Sequence, residues 1–505
     1  MSSALWMLFA VAQAAEPAAE SPSASDDTGT KAPDASGSDA GGAGSDAEDA
    51  MFGGTPATDP PASDVPPAVP LPIPEVPALP GAGVVPTDAD IGAAFARADD
   101  RFVIGGRMYL RTNVTVPEVE DLAGEDVRVS SPNLLDLYMD ARPNERVRAY
   151  TSARLNHDWS VLSGDTTLFG TEASVSRVSL DQMWVKFDLD QNLYVTAGRQ
   201  RVKWGAGRFW NPTDVLNRQR LDSLAFFDER TGVSLVRVHV PLESVGANLY
   251  AVADLEGTNA AWTPDTEGAI RADGPGGALR AEWAFRYGEV SATASARPSG
   301  ATVLGADASV GVGWFDLKVE GAVQRGGGAH RWEGTFDPAT FTLPNRVDRD
   351  EDWIPQVVAG VEVPIRLNDE DSLNLGVEGF WNDAGYDDAE LYTWLLAQGE
   401  FQSFYLGRAY VAGYAFVSGP GSWNDTTFTT SFLSNLSDES RTARLDISTR
   451  ALTYLNLNVY AQYSFGENGE FHYAVDIPAI PGVLDEPVSV PANRVLTGVG
   501  ASVKF

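Results

Sequence analysis

From Arg101 to the end of the chain, segment after segment alternates apolar and polar residues with a period of two, which restricts this part of the sequence to β-strands. In Arg146–Asn156, Val147, Ala149, Thr151, Ala153 and Leu155 share one face, while Arg146, Arg148, Tyr150, Ser152, Arg154 and Asn156 share the other. In Phe315–Gln324, Phe315, Leu317, Val319 and Val323 alternate with Asp316, Lys318, Glu320 and Gln324. Leu455–Tyr463 repeats the pattern, with Leu457, Val459 and Ala461 set against Asn456, Asn458 and Gln462. A soluble sandwich would alternate in the same way, so the connections must decide.

The pattern yields about eighteen strands (sixteen to eighteen), including 192–203 and 403–418, and their connections fall into two classes. Tight links such as Arg142–Asn144, Asp188–Gln191 and Gly419–Ser422 alternate with long ones around 114–131, 204–230, 256–275, 325–353, 383–402 and 466–492. Short turns on one rim and long loops on the other belong to an up-and-down transmembrane barrel. Strands of ten to twelve residues, at about 3.3 Å each and tilted about 40°, cross roughly 25 Å, the height of an outer-membrane apolar band. Aromatics near strand ends (Trp184, Trp204, Trp283, Tyr287, Trp314, Trp353, Trp381) suit the girdles of such a barrel. The expected class is all-β: a transmembrane antiparallel up-and-down barrel over 99–505. An even strand count puts both barrel ends on the short-turn side.

The first hundred residues cannot contribute to it. Leu5–Ala12 is a short apolar core followed by the small-x-small site Ala12-Gln13-Ala14, so 1–15 reads as a secretion signal. It lacks the basic start of such signals, because the first Lys or Arg is Lys31; the true start lies upstream or the signal is atypical. Residues 16–98 are rich in Ala, Pro, Ser and Asp, a composition that stays disordered, and are expected to form a periplasmic linker. Pro60–Pro80 favours polyproline II and reaches ~60 Å over about twenty residues.

Composition excludes other classes. Mean hydropathy is −0.16, and after the first fifteen residues no apolar run approaches the ~18–20 needed for a spanning helix. A net charge of −34 excludes nucleic acid as a partner, whose phosphates need a basic face. The four histidines, His157, His239, His330 and His472, have no nucleophile or metal-ligand spacing, so neither an enzyme, a cofactor nor a metal is expected. Acidic runs at Asp348–Asp352 and at Asp383, Asp387 and Asp388 match no defined calcium loop and read as solvated charge, with divalent bridging to lipopolysaccharide as the alternative.

The charged faces supply the candidate functional residues. Arg199, Arg201 and Lys203 share one face, and a charge turned to lipid near the midplane costs several kcal/mol, so all three are expected in the lumen. With Arg146, Arg148, Arg154, Arg237 and His239 they would form a basic stripe, opposed by Asp316, Glu320, Glu362, Glu378 and Asp446. Three readings stay open: a transverse field that filters solutes by charge, ion pairs that merely fill a polar interior, or a specific ligand site. In the 204–230 loop, Gly205 and Gly207 permit a sharp exit, Pro212 fixes φ, and Asn211 and Asp214 can cap a turn or short helix. Its apolar residues need cover, so the loop, with Arg208 and Trp210, is expected to fold inward and constrict the pore. Asp388–Phe401 is expected to be a loop helix capped by Asp388 that uses Leu391, Trp394, Leu395 and Leu396.

Two local patterns resemble known families. Gly198-Arg199-Gln200, then Trp204-Gly205, then Asn211-Pro212-Thr213-Asp214 resembles a segment of proteobacterial outer-membrane barrels, some porin-like and some related to alginate exporters. That resemblance, about twenty residues long, implies a barrel with a structured loop and names no substrate. The last strand, Asn493–Phe505, ends on an aromatic after alternating apolar residues with glycine upstream, and resembles the signal that outer-membrane barrels present to their assembly machinery. The resulting expectation is a channel for small polar, possibly anionic, solutes in an outer membrane, with lipid, lipopolysaccharide and the barrel-assembly machinery as partners. The alternative is a non-conducting scaffold that anchors or assembles the envelope.

Overall fold

The computed structural model describes residues 101–119, 126–162, 175–217, 224, 230–255, 275–298, 300–340, 342–368, 371–477, 479 and 487–505. The expected signal and linker, and most of 218–229, lie outside these residues.

Alternation works out as a closed ring of eighteen antiparallel strands: β1 (Phe102–Pro117), β2 (Pro132–Asn144), β3 (Val147–Asp158), β4 (Ser176–Leu189), β5 (Leu193–Gln200), β6 (Val233–Leu242), β7 (Ala247–Asp254), β8 (Gly276–Phe285), β9 (Gly288–Ala296), β10 (Ala301–Val312), β11 (Phe315–Gly326), β12 (Ile354–Arg366), β13 (Ser372–Asn382), β14 (Ala409–Ser418), β15 (Thr426–Asn435), β16 (Ser440–Leu452), β17 (Leu455–Gly466) and β18 (Asn493–Lys504). Each strand pairs with its neighbours in sequence, and β18 pairs with β1 from Lys504↔Arg107 to Asn493↔Pro117. At about 4.8 Å between strands and about 40° of tilt, eighteen strands enclose a ring roughly 35 Å across. Such an interior is too wide for wall side chains alone to fill.

The faces divide as the alternation requires. Leu137, Met139, Val185, Leu279, Val319, Val377, Leu457 and Val459 are each at least 40% exposed and point outward. Their polar alternates (Asp140, Ser152, Arg154, Arg280, Glu320, Asn458) are buried inside. A cylinder apolar outside and polar inside can be solvated only by lipid around it and water within. Exposed Trp159, Trp353 and Trp381 sit at the long-loop rim, and Tyr287, Trp314, Trp423, Tyr454 and Phe505 at the short-turn rim. In the three-residue link between β4 and β5, Asp190 (φ 56°) and Gln191 (φ 61°) both take the left-handed conformation of a tight turn closed by the Asn192 N–H on the Leu189 carbonyl at 3.3 Å.

Closure is completed at the last residue. The Gly106 N–H donates to the Phe505 carbonyl at 2.8 Å, and the Phe505 N–H to the Gly106 carbonyl at 3.1 Å. Inward-facing glycines on β18 admit neighbouring rings: a Cβ at Gly498 would stand 2.5 Å from Tyr460, and one at Gly500 2.8 Å from the Tyr109 hydroxyl.

Two strands differ from expectation. The 192–203 segment leaves the sheet at Gln200 because the chain turns into the lumen there, and 403–418 joins it only at Ala409 because Phe404–Leu406 are buried in the interior. The loop helix is a short one, α1 (Tyr392–Gln398), and Asp388 does not cap it: Leu391 occupies the cap position, while Asp388 accepts the Glu390 N–H one turn earlier. Of its expected apolar residues, Leu391, Trp394 and Leu395 are buried, Leu396 is half-buried, and Tyr392 is buried with them.

Val459 lies at the middle of β17 on the outer face, 49% exposed. Val459→Arg should lower the unfolding free energy in lipid by about 2–4 kcal/mol, whereas Gln462→Arg, facing inward, should change it by much less. Equal losses in denaturant titrations of vesicle-embedded protein would contradict this assignment of faces.

Candidate functional site

After Gln200 the chain turns inward and 201–217 runs along the inner wall. Val202, Trp204 and Leu216 pack on Val233 and Leu235 of β6, Val252 of β7 and Ala278 of β8. Thr213 reaches Glu320 on β11, and Phe209 and Trp210 join Phe380, Tyr410, Ala412, Tyr414 and Leu433 on β13–β15. Trp210 is fully buried, stacks on Phe380 at 5.3 Å and donates its indole N–H to the Phe404 carbonyl at 2.8 Å.

Two carboxylates hold this loop. Glu320 accepts the N–H groups of Ala206 (2.9 Å), Gly207 (3.2 Å) and Thr213 (2.7 Å), and the Thr213 hydroxyl (2.8 Å). Glu378 accepts the consecutive N–H groups of Arg208 (2.7 Å), Phe209 (2.9 Å) and Trp210 (3.0 Å). Burying a carboxylate is costly unless donors surround it, and unpaired N–H groups in the interior are costly too. Each need answers the other. Gly205 (φ +100°) admits no side chain, since a Cβ would stand 2.6 Å from Glu320 Oε2, and at Gly207 a Cβ would meet the Trp210 carbonyl at 2.0 Å. Glu378 lies on β13, eight strands from β5 in a ring of eighteen, so the loop is fastened nearly opposite its root.

The sequence-derived residues fall into three groups. Glu320 and Glu378 face inward but serve the loop. Asp214 forms no helix cap; it pairs with Arg230 (2.8 Å) and accepts Asn217 Nδ2, while the chain from Asn211 to Asp214 makes a turn with the Asp214 N–H on the Asn211 carbonyl (3.1 Å). Pro212 is buried beside it, and Arg208 alone of the loop tip is exposed, its guanidinium 4.0 Å from the Tyr414 ring centre.

The second group is the basic stripe, which forms a ladder of ion pairs on its own wall: Arg146–Asp190 (2.9 Å), Arg148–Asp140 (3.1 Å), Arg154–Asp136 (2.8 Å) and Arg201–Asp181 (2.9 Å). Register sets Arg237 on the same face as buried Leu235 and His239, half-buried opposite Thr196. Asp316 shares the inner face of β11 with Lys318 and Glu320, opposite Glu362. The aspartates were missed because Asp136, Asp140 and Asp181 lie on strands neighbouring their arginines and Asp190 in a neighbouring turn, and pairing across strands is invisible until register is known. Lys203 is exposed at the start of the loop.

Arg199 is a correction. It stands in register with Met183 and Ser234, on the face opposite buried Gln200 and Thr196, so it points away from the lumen. The strand ends one residue later, which breaks the shared face assumed for Arg199, Arg201 and Lys203.

Behind the loop, the 467–477 segment also folds into the interior. Glu470 accepts the Phe404 N–H, the Tyr410 hydroxyl (2.6 Å) and Asn435 Nδ2 (3.0 Å), while Asp438 accepts the Glu470 N–H (2.8 Å) and the Tyr392 hydroxyl (3.0 Å). Burial foremost, and the nearby Asp438 carboxylate, push Glu470 up to about 8 against the lowering pull of the Tyr410 hydrogen bond. The acidic clusters of the outer loops are occupied by arginines: Arg349–Asp383 (2.7 Å), Arg349–Asp352 (3.2 Å), Arg408–Asp387 (3.2 Å) and Arg331–Asp387 (3.4 Å).

Two outcomes follow. Glu378→Ala leaves three N–H groups without an acceptor, two of them buried, at about 1–3 kcal/mol for each buried one; amide exchange at 208–210 should speed up while β13 itself stays protected, and unchanged exchange would refute the grip. For Glu470, a carboxyl raised in the docked state favours docking fully below about 4.5 and loses that contribution as pH rises through about 8. Exchange at the Phe404 and Glu470 amides, corrected for the intrinsic pH dependence, should increase between pH 6 and 9, and Glu470→Gln should flatten that change.

No protein-family model and no curated protein matches the chain. Among solved structures it is similar to the outer membrane protein opdK from Pseudomonas aeruginosa, at 10% identity over 80% of this chain and 98% of that one, with a TM-score of 0.46. It is also similar to OccAB4 of Acinetobacter baumannii (6%, 80% and 98%, TM-score 0.48) and to a mutant Rh. blastica porin (10%, 80% and 100%, TM-score 0.36).

Proposed function

We propose that the protein is an outer-membrane channel passing small polar solutes, with a mild preference for anions, through the part of the lumen bordered by β16–β18 and β1–β4. The observation that carries this reading is the course of 201–217. The loop is fastened along β6–β15, which leaves the opposite arc of wall clear of it among the described residues. That arc is polar and basic. Asp140 is shared by Arg142 and Arg148, Arg444 pairs with Asp446, and Arg111 lies 5.7 Å from the Tyr109 ring centre. Arg208 adds a cation from the loop side. Ion-paired arginines still present N–H donors to a passing anion, because a guanidinium has five and a carboxylate engages two.

In this reading 1–15 directs export, 16–98 is a tether in the periplasm, and the short-turn rim, where β1 begins, faces that compartment. Phe505, exposed at the closing seam, is the feature the barrel-assembly machinery would meet. A non-conducting scaffold is the second reading. It draws on the aromatic cluster and on the 383–408 and 467–477 segments, which fill the β12–β17 side of the interior.

Planar-bilayer recording separates the two. A channel should give steady ohmic steps, with an anion preference that drops on Arg208→Glu and drops further when Arg148→Ala is added. Silent bilayers, with folded protein confirmed by heat-modifiable gel mobility, would establish the scaffold instead.

A further inference from the structure

The β17–β18 connection carries a tight turn that is fastened to two separate parts of the wall. Gly469 and His472 pair across it, the His472 N–H donating to the Gly469 carbonyl at 3.0 Å and the Gly469 N–H to the His472 carbonyl at 3.3 Å. Glu470 and Phe471 form its tip. The Glu470 carboxylate accepts from Tyr410 on β14 and Asn435 at the end of β15, and the Phe471 N–H donates to Ser440 Oγ on β16 at 3.1 Å. At the base, His472 stands 2.6 Å from Glu118, just beyond β1, and Arg494 on β18 holds the other oxygen of that carboxylate at 3.0 Å. β14 and β1 are five places apart in the ring, and a turn this short cannot follow the wall over that distance. It crosses the interior at the long-loop mouth instead, and overhangs the β16–β18 part of the passage proposed above.

Both fastenings depend on protons. Glu470 and Asp438 are buried carboxyl groups joined through Asn435, whose Nδ2 donates to each, and through the Glu470 N–H on Asp438. The titratable groups facing Glu470 are Tyr410 from β14, Asp438 from the β15–β16 link and Tyr392 from α1. Among the described residues no Lys or Arg pairs with either carboxylate. Two like charges in one enclosed site are costly, and moving the turn into water relieves them. The base responds with the same sign. His472 faces Glu118 from β1 and Arg494 from β18, and its attraction to Glu118 exists only while the imidazole is protonated. Rising pH charges the tip and discharges the base, and each change loosens the turn.

We propose that this turn is an acid-closed latch: protonated Glu470 and His472 hold it across the long-loop mouth, and their deprotonation frees it and widens the passage. The Glu470 carboxyl, raised to about 8 foremost by burial, favours the latched turn fully below about 4.5 and loses that contribution as pH rises through about 8. One proton released on opening lets the ratio of open to latched rise by about tenfold per pH unit between those limits. The effect on conduction rests on the channel reading given above, whereas the movement of the turn does not.

The test records the full-length protein in planar bilayers across this pH range and follows hydrogen exchange of the same protein in nanodiscs, corrected for its intrinsic pH dependence. Single channels should switch between a smaller and a larger conductance. The ratio of time in the larger state to time in the smaller should grow by up to about tenfold per pH unit and level off once Glu470 is ionised. Exchange at the Glu470 and Phe471 amides should rise over the same interval. Glu470→Gln, which cannot ionise, should cut the pH response severalfold, while His472→Gln, which removes only the base contact, should favour the larger state already in acid. Conductance that ignores pH while these amides open would overturn the proposal, because the turn would then move without closing anything. Exchange unaltered by pH in the unchanged protein would overturn it as well, whatever the variants do. Recordings silent at every pH, with exchange rising as expected, would instead count against the channel reading and remove the passage that the latch closes.

Discussion

Every backbone N–H and C=O of a strand facing lipid must be answered by another strand, and this molecule meets that demand by closing a ring whose last bond is made by its last residue. The pairing of β18 with β1, ending in the exchange between Phe505 and Gly106, removes the two terminal edges an eighteen-strand sheet would otherwise expose. Closure fixes register all round the ring, and register fixes which side chains face inward. The glycine-and-tyrosine contacts at Gly498 and Gly500 sit at that seam, where wall curvature brings inward rings close to the neighbouring backbone.

A ring of this width creates a second demand. Loops that enter the lumen carry backbone donors into a space from which water is partly excluded, and those donors need acceptors. Glu320 and Glu378 supply them, each collecting N–H groups from one face of the same loop. A carboxylate has room for about four hydrogen bonds, and Glu320 receives four from Ala206, Gly207 and Thr213. The same residue type in the strand pattern would otherwise be read as pore-lining charge. Its use as a fastener explains how a loop with few regular backbone bonds keeps one position.

Much of the architecture could be read in the sequence because alternation and turn spacing are local. The eighteen strands, the two rims and the inward turn of the loop all follow from patterns within about a dozen residues. Residues whose roles depend on a partner far along the chain were harder to place. Glu378 and Arg208 are 170 residues apart, and nothing in either neighbourhood announces that one accepts the other's N–H. Arg148 with Asp140 and Arg201 with Asp181 are nearer but still lie on separate strands, so the basic stripe was visible while its neutralising partners were not. Arg199 was misplaced for a different reason: parity holds only inside a strand, and this strand stops at Gln200. The single signal of that stop is the Trp204-Gly205-Ala206-Gly207 sequence, which marks an exit without saying on which residue it begins.

The separation of charge between the two faces then acquires a physical reason. Inside, arginines and aspartates can be mixed because water and neighbouring strands let them pair. Outside, a carboxylate at headgroup level would face the like charge of lipid phosphates, whereas an arginine there meets an opposite one. One rim of the outer face carries Arg199, Arg325 and Arg441 and the other carries no strand charge at all, so the two rims of the outer surface are electrically unlike. A barrel that sat indifferently in either orientation would have no use for that asymmetry; one inserted with its long loops toward a phosphate-rich leaflet would.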